Sequence, residues 1–134
     1  VNELTWNTAL PGDVMQLSGS NSIFVADEID DLICQRIEKK DISPASPLAG
    51  KSKNKVQGEA LALMNQIYQQ WQPWLQGLER QGLEEAWRAN ILHVEDMHCE
   101  VENTTATLSF SLPPGTYATT VLRELVSYST PTRF

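Results

Sequence analysis

Three stretches of the chain carry side chains whose types and spacing suit chemistry. His93, Glu95, Asp96, His98 and Cys99 fall close together and are all metal-ligating types. Their spacing does not suit a metal. A helical zinc site places two histidines four residues apart, whereas these are five apart, and on a strand His98 and Cys99 leave from opposite faces. Lys51, Lys53 and Lys55 form a small basic run that can meet phosphates or can be an ordinary solvated loop. Tyr117 follows Pro113, Pro114, Gly115 and Thr116 and opens a helical pattern, so it stands where unpaired first-turn amides and the helix dipole favour negative charge. That position suits a nucleotide, or a ring that only packs the turn. No glycine-rich phosphate loop and no triad-like serine or cysteine appears.

The elements that must position Tyr117 are the clearest in the chain. Ala106, Leu108, Phe110 and Leu112 alternate with Thr105, Thr107, Ser109 and Ser111, the period of a strand with one buried face. Pro113 and Pro114 lack backbone donors and end the strand, Gly115 allows the reversal, and Thr116 is placed to cap a helix. Ala118, Val121, Leu122, Leu125 and Val126 recur on one face of that helix, with Arg123 and Glu124 on the other. Met97, Cys99 and Val101 alternate with His98, Glu100 and Glu102, which predicts a preceding strand joined through an Asn103-Thr104 turn.

Upstream, residues 2–9 read as the end of a helix, and residues 14–17 and 22–26 as a hairpin around Ser18-Gly19-Ser20-Asn21. Asp27 is expected to cap a helix whose apolar stripe is Ile29, Leu32, Ile33 and Ile37. Residues 41–57, with Pro44, Pro47 and Gly50, read as a long loop. From Gly58 a helical stripe runs through Leu61, Met64, Ile67, Tyr68, Trp71, Trp74, Leu75 and Leu78, with a restart at Pro73. The tryptophans on it are expected to pack rather than to stack on bases. Residues 84–88 read as a turn returning Trp87 to the body. The fold class is α+β.

Composition bounds the function. At 134 residues and 41% hydrophobic, the chain can bury one good core or two small ones, and no apolar run approaches membrane length. A net charge of −7 repels phosphate, so the chain alone should bind nucleic acid poorly unless its few basic residues cluster. Cys34 and Cys99 stand in no metal or redox spacing, which suits the reducing cytoplasm with both thiols buried. The start, Val1-Asn2-Glu3, reads as an interior point of a longer protein.

The run from Leu112 through Pro113, Pro114, Gly115, Thr116, Tyr117, Ala118 and Thr119 to Val121, Arg123, Glu124 and Leu125 resembles the closing motif of the TruD family of tRNA pseudouridine synthases. Gly12-Asp13-Val14, Leu17, Gly19-Ser20, Ser22 and Phe24-Val25 resemble a hairpin of that family. Asp41, Ile42, Pro44, Pro47, Leu48 and Gly50, followed by Gly58, Glu59, Ala60, Leu61 and Ala62, resemble the segment after it. The resemblance implies that residues 1–92 are the C-terminal part of an insertion domain, a hairpin plus helices, and that 93–134 are the closing strands and helix of a catalytic domain.

It further implies a cytoplasmic enzyme that isomerises a D-arm uridine of tRNA with one aspartate nucleophile, no cofactor and no metal. The target base must leave its stack, and Tyr117 matches the ring that receives it, with Gly115, Thr116 and Arg123 beside it. Many relatives carry Phe there. The nucleophile's Gly-x-Lys-Asp motif does not occur in these residues, so the chain is expected to supply half a pocket and no activity alone. Strand edges left without their family neighbours are expected either to recruit a second copy or to let residues 97–134 pack back on the helices between Asp27 and Trp74. The rival readings are a stand-alone RNA-binding module and a protein-interaction module without catalysis.

Overall fold

The computed structural model describes residues 5–53 and 55–127. The chain divides into two compact units, Val1–Ile91 and Leu92–Phe134, each with its own antiparallel sheet.

In the first unit, β1 (Asp13–Leu17) and β2 (Ile23–Ala26) form the expected hairpin, with Val14 opposite Val25 and Met15 opposite Phe24. Helix α1 (Asp31–Glu38), strand β3 (Ile42–Leu48), helices α2 (Gly58–Gln69) and α3 (Gln72–Arg80) and strand β4 (Ala86–Ala89) follow, and the sheet order is β2-β1-β3-β4. Successive strand residues point to opposite faces, and here both faces are covered. Met15 and Ile42 pack under α1 with Ile29, Ile33 and Ile37, while Val14 and Ala45 pack under α2 with Val56, Ala60 and Met64. Val14, Met15 and Ile42 are wholly buried, each worth roughly 1.5–3 kcal/mol relative to exposure.

Helix α2 is seated by backbone. Gln57, its N-cap, makes no side-chain cap bond, and the first-turn amides turn instead to carbonyls at the entry to β1. The Gln57 amide donates to the Gly12 carbonyl at 3.0 Å and the Ala60 amide to the Pro11 carbonyl at 3.3 Å. Approach this close leaves no room for side chains. A Cβ at Gly12, where φ is +88°, would lie 2.0 Å from the Gln57 carbonyl oxygen, and one at Gly58, φ +54°, 2.9 Å from that of Pro11.

Several expectations need correction. Residues 5–9 hold a turn closed by the Thr8 amide on the Thr5 carbonyl, not a helix; the rest of that expectation falls outside the described residues. The cap of α1 is Asp30, whose carboxylate accepts from the Ile33 amide at 2.8 Å; Asp27 lies a turn too early to reach it. Leu32 is exposed, leaving Ile29, Ile33 and Ile37 as the stripe. The loop expected over 41–57 contains β3. Its prolines are tolerated because the pairing is staggered: residues 42–44 pair with β1 and 45–48 with β4, and the Pro44 carbonyl accepts from the Asn90 amide, so Pro44 needs no donor toward Met15. The expected turn at 84–88 contains the start of β4.

The second unit pairs β5 (Glu95–Glu102) with β6 (Thr105–Ser111) through a turn in which Asn103 is left-handed. Helix α4 (Ala118–Leu125) buries Val121. All of β5 is exposed, and on the face of β6 expected to be buried Leu108 and Phe110 are half-buried while Ala106 is exposed. Both cysteines are exposed free thiols, not buried ones: Cys34 lies off the stripe of α1 and Cys99 is on β5.

Gly12→Ala should lower stability by roughly 2–4 kcal/mol, from the backbone clash plus the positive φ. Gly19→Ala, also at positive φ but with nothing within 4 Å, should cost about 1 kcal/mol. Urea melts of the two variants check this; equal losses would mean that the crossing is not tight.

Candidate functional site

The turn that carries Tyr117 is built from β6 outward. After Ser111 the chain passes half-buried Leu112 and reverses at Pro114-Gly115, where Gly115 takes φ +82°. Thr116 does not cap α4. Its hydroxyl donates to the Pro113 carbonyl at 2.6 Å, which closes the turn and removes that hydrogen from any other use. The N-cap is Tyr117 itself, in extended backbone and with no side-chain cap bond. Tyr117 is 63% exposed, so the ring does not serve as core.

Gly115, Thr116 and Tyr117 are therefore brought together at one helix start. Arg123 lies about 9 Å further along the axis, in the last turn, where a cation complements the helix dipole. It is exposed, and among the described residues no ion pair ties it to the sheet.

The lysine run is more constrained than a solvated loop. The Lys51 amide donates to the Leu83 carbonyl at 2.7 Å and the Glu85 amide returns a bond to the Lys51 carbonyl at 3.1 Å. Glu85 is 5% exposed, and its carboxylate accepts from Ser52 Oγ at 3.3 Å and from the Lys53 amide at 3.1 Å. Burial without those donors would be costly; with them, the carboxylate organises the loop. Lys53 Nζ meets Glu84 at 3.0 Å. The hydrogen bond from Lys53, then its charge, holds the Glu84 carboxyl below the usual range. Lys55 is half-buried and lines a cavity of about 230 Å³ with Ser52, Met64 and Glu85. Two acids thus sit among the three lysines and weaken the field a phosphate would meet.

Glu84 and Glu85 were not singled out by sequence reasoning, because two acids before Ala86-Trp87 look like any polar turn. Trp71 and Trp74, expected to pack, are 53% and 71% exposed. Pro73 restarts the chain as α3, so the stripe of α2 does not continue onto the sheet. Among the described residues no cluster of three or more His, Cys, Asp or Glu is arranged to hold a metal ion, and no helix is long and apolar enough to cross a membrane.

The fold defines a mixed α+β protein with antiparallel sheets and a strand-turn-helix unit presenting an exposed aromatic ring. Residues 1–125 match the model of TruD, tRNA pseudouridine synthase D, and the chain belongs to that family. It is 58% identical over 129 residues to the tRNA pseudouridine synthase D of Legionella pneumophila strain Corby, covering 96% of this chain and 38% of that protein. It is 42% identical over 125 residues to that of Methylococcus capsulatus, covering 92% and 35%. The chain thus spans just over a third of the length of these relatives.

Glu85→Ala should strip the acceptor from Ser52 and Lys53, cost roughly 1–3 kcal/mol and speed amide exchange at Lys53. Glu84→Ala should leave both close to wild type, and equal effects of the two variants would deny Glu85 its organising role.

Proposed function

We propose that this chain is part of an enzyme that isomerises a D-arm uridine of tRNA to pseudouridine. The carrying observation is the family match through residue 125, which includes the strand-turn-helix that presents Tyr117 to solvent. In this reading residues 1–92 belong to an insertion domain and 93–134 to the catalytic domain; the division between Ile91 and Leu92 supports it. The reaction is cytoplasmic and uses no cofactor.

Tyr117 receives the flipped uracil on its face, with Gly115 and Thr116 shaping the turn and Arg123 contacting a carboxylate or phosphate. Lys51, Lys53 and Lys55 meet the tRNA backbone, against the opposing charge of Glu84 and Glu85. The nucleophilic aspartate belongs to the part of the family protein that these residues do not span, so this chain contributes half a pocket. Strands β5 and β6 pair only with each other among the described residues, which supports an edge that takes up further strands, from the rest of the enzyme or a second copy. A second reading, a protein-interaction module without catalysis, is favoured by one observation, the exposure of Trp71 and Trp74.

The test grafts this chain in place of the matching segment of the Legionella pneumophila relative and measures pseudouridine in tRNA. The graft should be active and the chain alone inactive. In the graft, Tyr117→Ala should lose roughly tenfold to hundredfold in turnover while Tyr117→Phe stays near wild type, since stacking is worth about 1–3 kcal/mol per base. Equal loss in both variants would assign the role to the hydroxyl.

A further inference from the structure

Trp71 and Trp74 stand at the corner where α2 ends and α3 begins, one turn apart through the bond from the Trp74 amide to the Trp71 carbonyl at 3.0 Å. Both rings are exposed, as is Ile67 one turn earlier on α2. Rings of this size are normally spent on a core. Here Pro73 restarts the chain, and the inward places go to Met64, Leu75 and Leu78, which are half-buried.

The surroundings of the two rings distinguish the partner. None of residues 60–78 is charged, in a chain that is 20% charged and carries a net −7. Gln66, Gln69, Gln70, Gln72 and Gln76 are all exposed, and each offers an amide donor and a carbonyl acceptor without charge. A patch that docks a protein is continuous and apolar at its centre, whereas these rings are set among amides. Flat faces with neutral donors and acceptors around them match unpaired bases, whose faces stack on aromatic rings and whose edges take hydrogen bonds.

Charge fixes the approach. An acidic chain repels RNA phosphates, and an uncharged corner is where a strand meets least repulsion. Helix α3 then leads from the corner back to the lysine run: the Leu83 amide donates to the Leu78 carbonyl at 3.3 Å, and the Leu83 carbonyl accepts from the Lys51 amide at 2.7 Å. At nine residues the helix is about 13 Å long, with the rings at its start and Arg80 at its end. Glu79 and Glu84 share that end with Arg80 and Lys51, so phosphates gain little there and the rings must supply most of the affinity.

We propose that the α2–α3 corner stacks unpaired bases of the tRNA on Trp71 and Trp74, with the flanking phosphates running toward Arg80 and Lys51. The inference takes the identity of the RNA from the isomerase reading and adds a binding surface in the other unit from Tyr117. Such a surface positions the tRNA and takes no part in the chemistry, so it governs affinity and not turnover at saturation.

The test measures the affinity of a fluorescein-labelled tRNA transcript for the graft by anisotropy, and pseudouridine formation in parallel, so that binding and conversion are read apart. Trp71→Ala and Trp74→Ala should each weaken binding roughly five- to thirtyfold and raise KM alike, with kcat unchanged. Trp71→Tyr and Trp74→Tyr, which keep a stacking face, should stay within about threefold of wild type. The loss in Trp74→Ala should persist at high salt, where that of Lys51→Ala fades. Leu32→Ala, which removes an exposed apolar side chain from α1 on the opposite face of the sheet, should change nothing. Affinity indifferent to both alanine variants, or an equal loss from Leu32→Ala, overturns the proposal. So does a shift in oligomeric state with tRNA affinity unchanged, which assigns the corner to a protein partner. A graft that binds tRNA with the expected losses and yet makes no pseudouridine supports this surface and overturns the isomerase reading.

Discussion

The first unit depends on the crossing of two backbones, Pro11-Gly12 over Gln57-Gly58. Helix α2 reaches the sheet without a capping side chain, so its amides are satisfied only if the carbonyls of the β1 entry come within hydrogen-bonding distance. They do so only because both crossing residues lack a Cβ. Once the crossing is made, the side chains fall into place around it: Ala60 and Met64 cover Val14 and Ala45, and residues 51–53 are held against Leu83 and Glu85.

Burial then does the rest. Strand β1 spends alternate residues on opposite faces, Val14 under α2 and Met15 under α1, which is why a short strand anchors two layers. Glu85 shows the complementary rule for charge. A carboxylate at 5% exposure is tolerable because a hydroxyl and a main-chain amide donate to it, and the same bonds fix the loop that bears the lysines.

The elements that were legible in the sequence are those with strong local periodicity or unambiguous turn chemistry. The hairpin at Gly19, the start of α2 at Gly58, the restart at Pro73 and the run from β6 through Pro113-Pro114-Gly115 into α4 all belong to this group. Strand β3 was not legible, because Ser43, Pro44, Ser46 and Pro47 carry turn signals and only the staggered pairing with β1 and β4 makes them a strand. Strand β4 is four residues long, too short for any period to show. At α1 the cap falls on Asp30 rather than Asp27, because two acids of the right type precede the helix and only Asp30 reaches the Ile33 amide; at α4 no side chain caps, because the Thr116 hydroxyl is spent on the Pro113 carbonyl. Of the site, the exposed Tyr117 was read from its turn, whereas Glu85 acquires its meaning only from tertiary neighbours, Ser52 and Lys53.

The functional account rests on Tyr117 meeting the base that is rebuilt. Photo-crosslinking tests this most directly: tRNA carrying 5-iodouridine at the target position is irradiated with the active graft, and the adduct is mapped by mass spectrometry. The account predicts an adduct on the peptide containing Tyr117. An adduct confined to other peptides would contradict it.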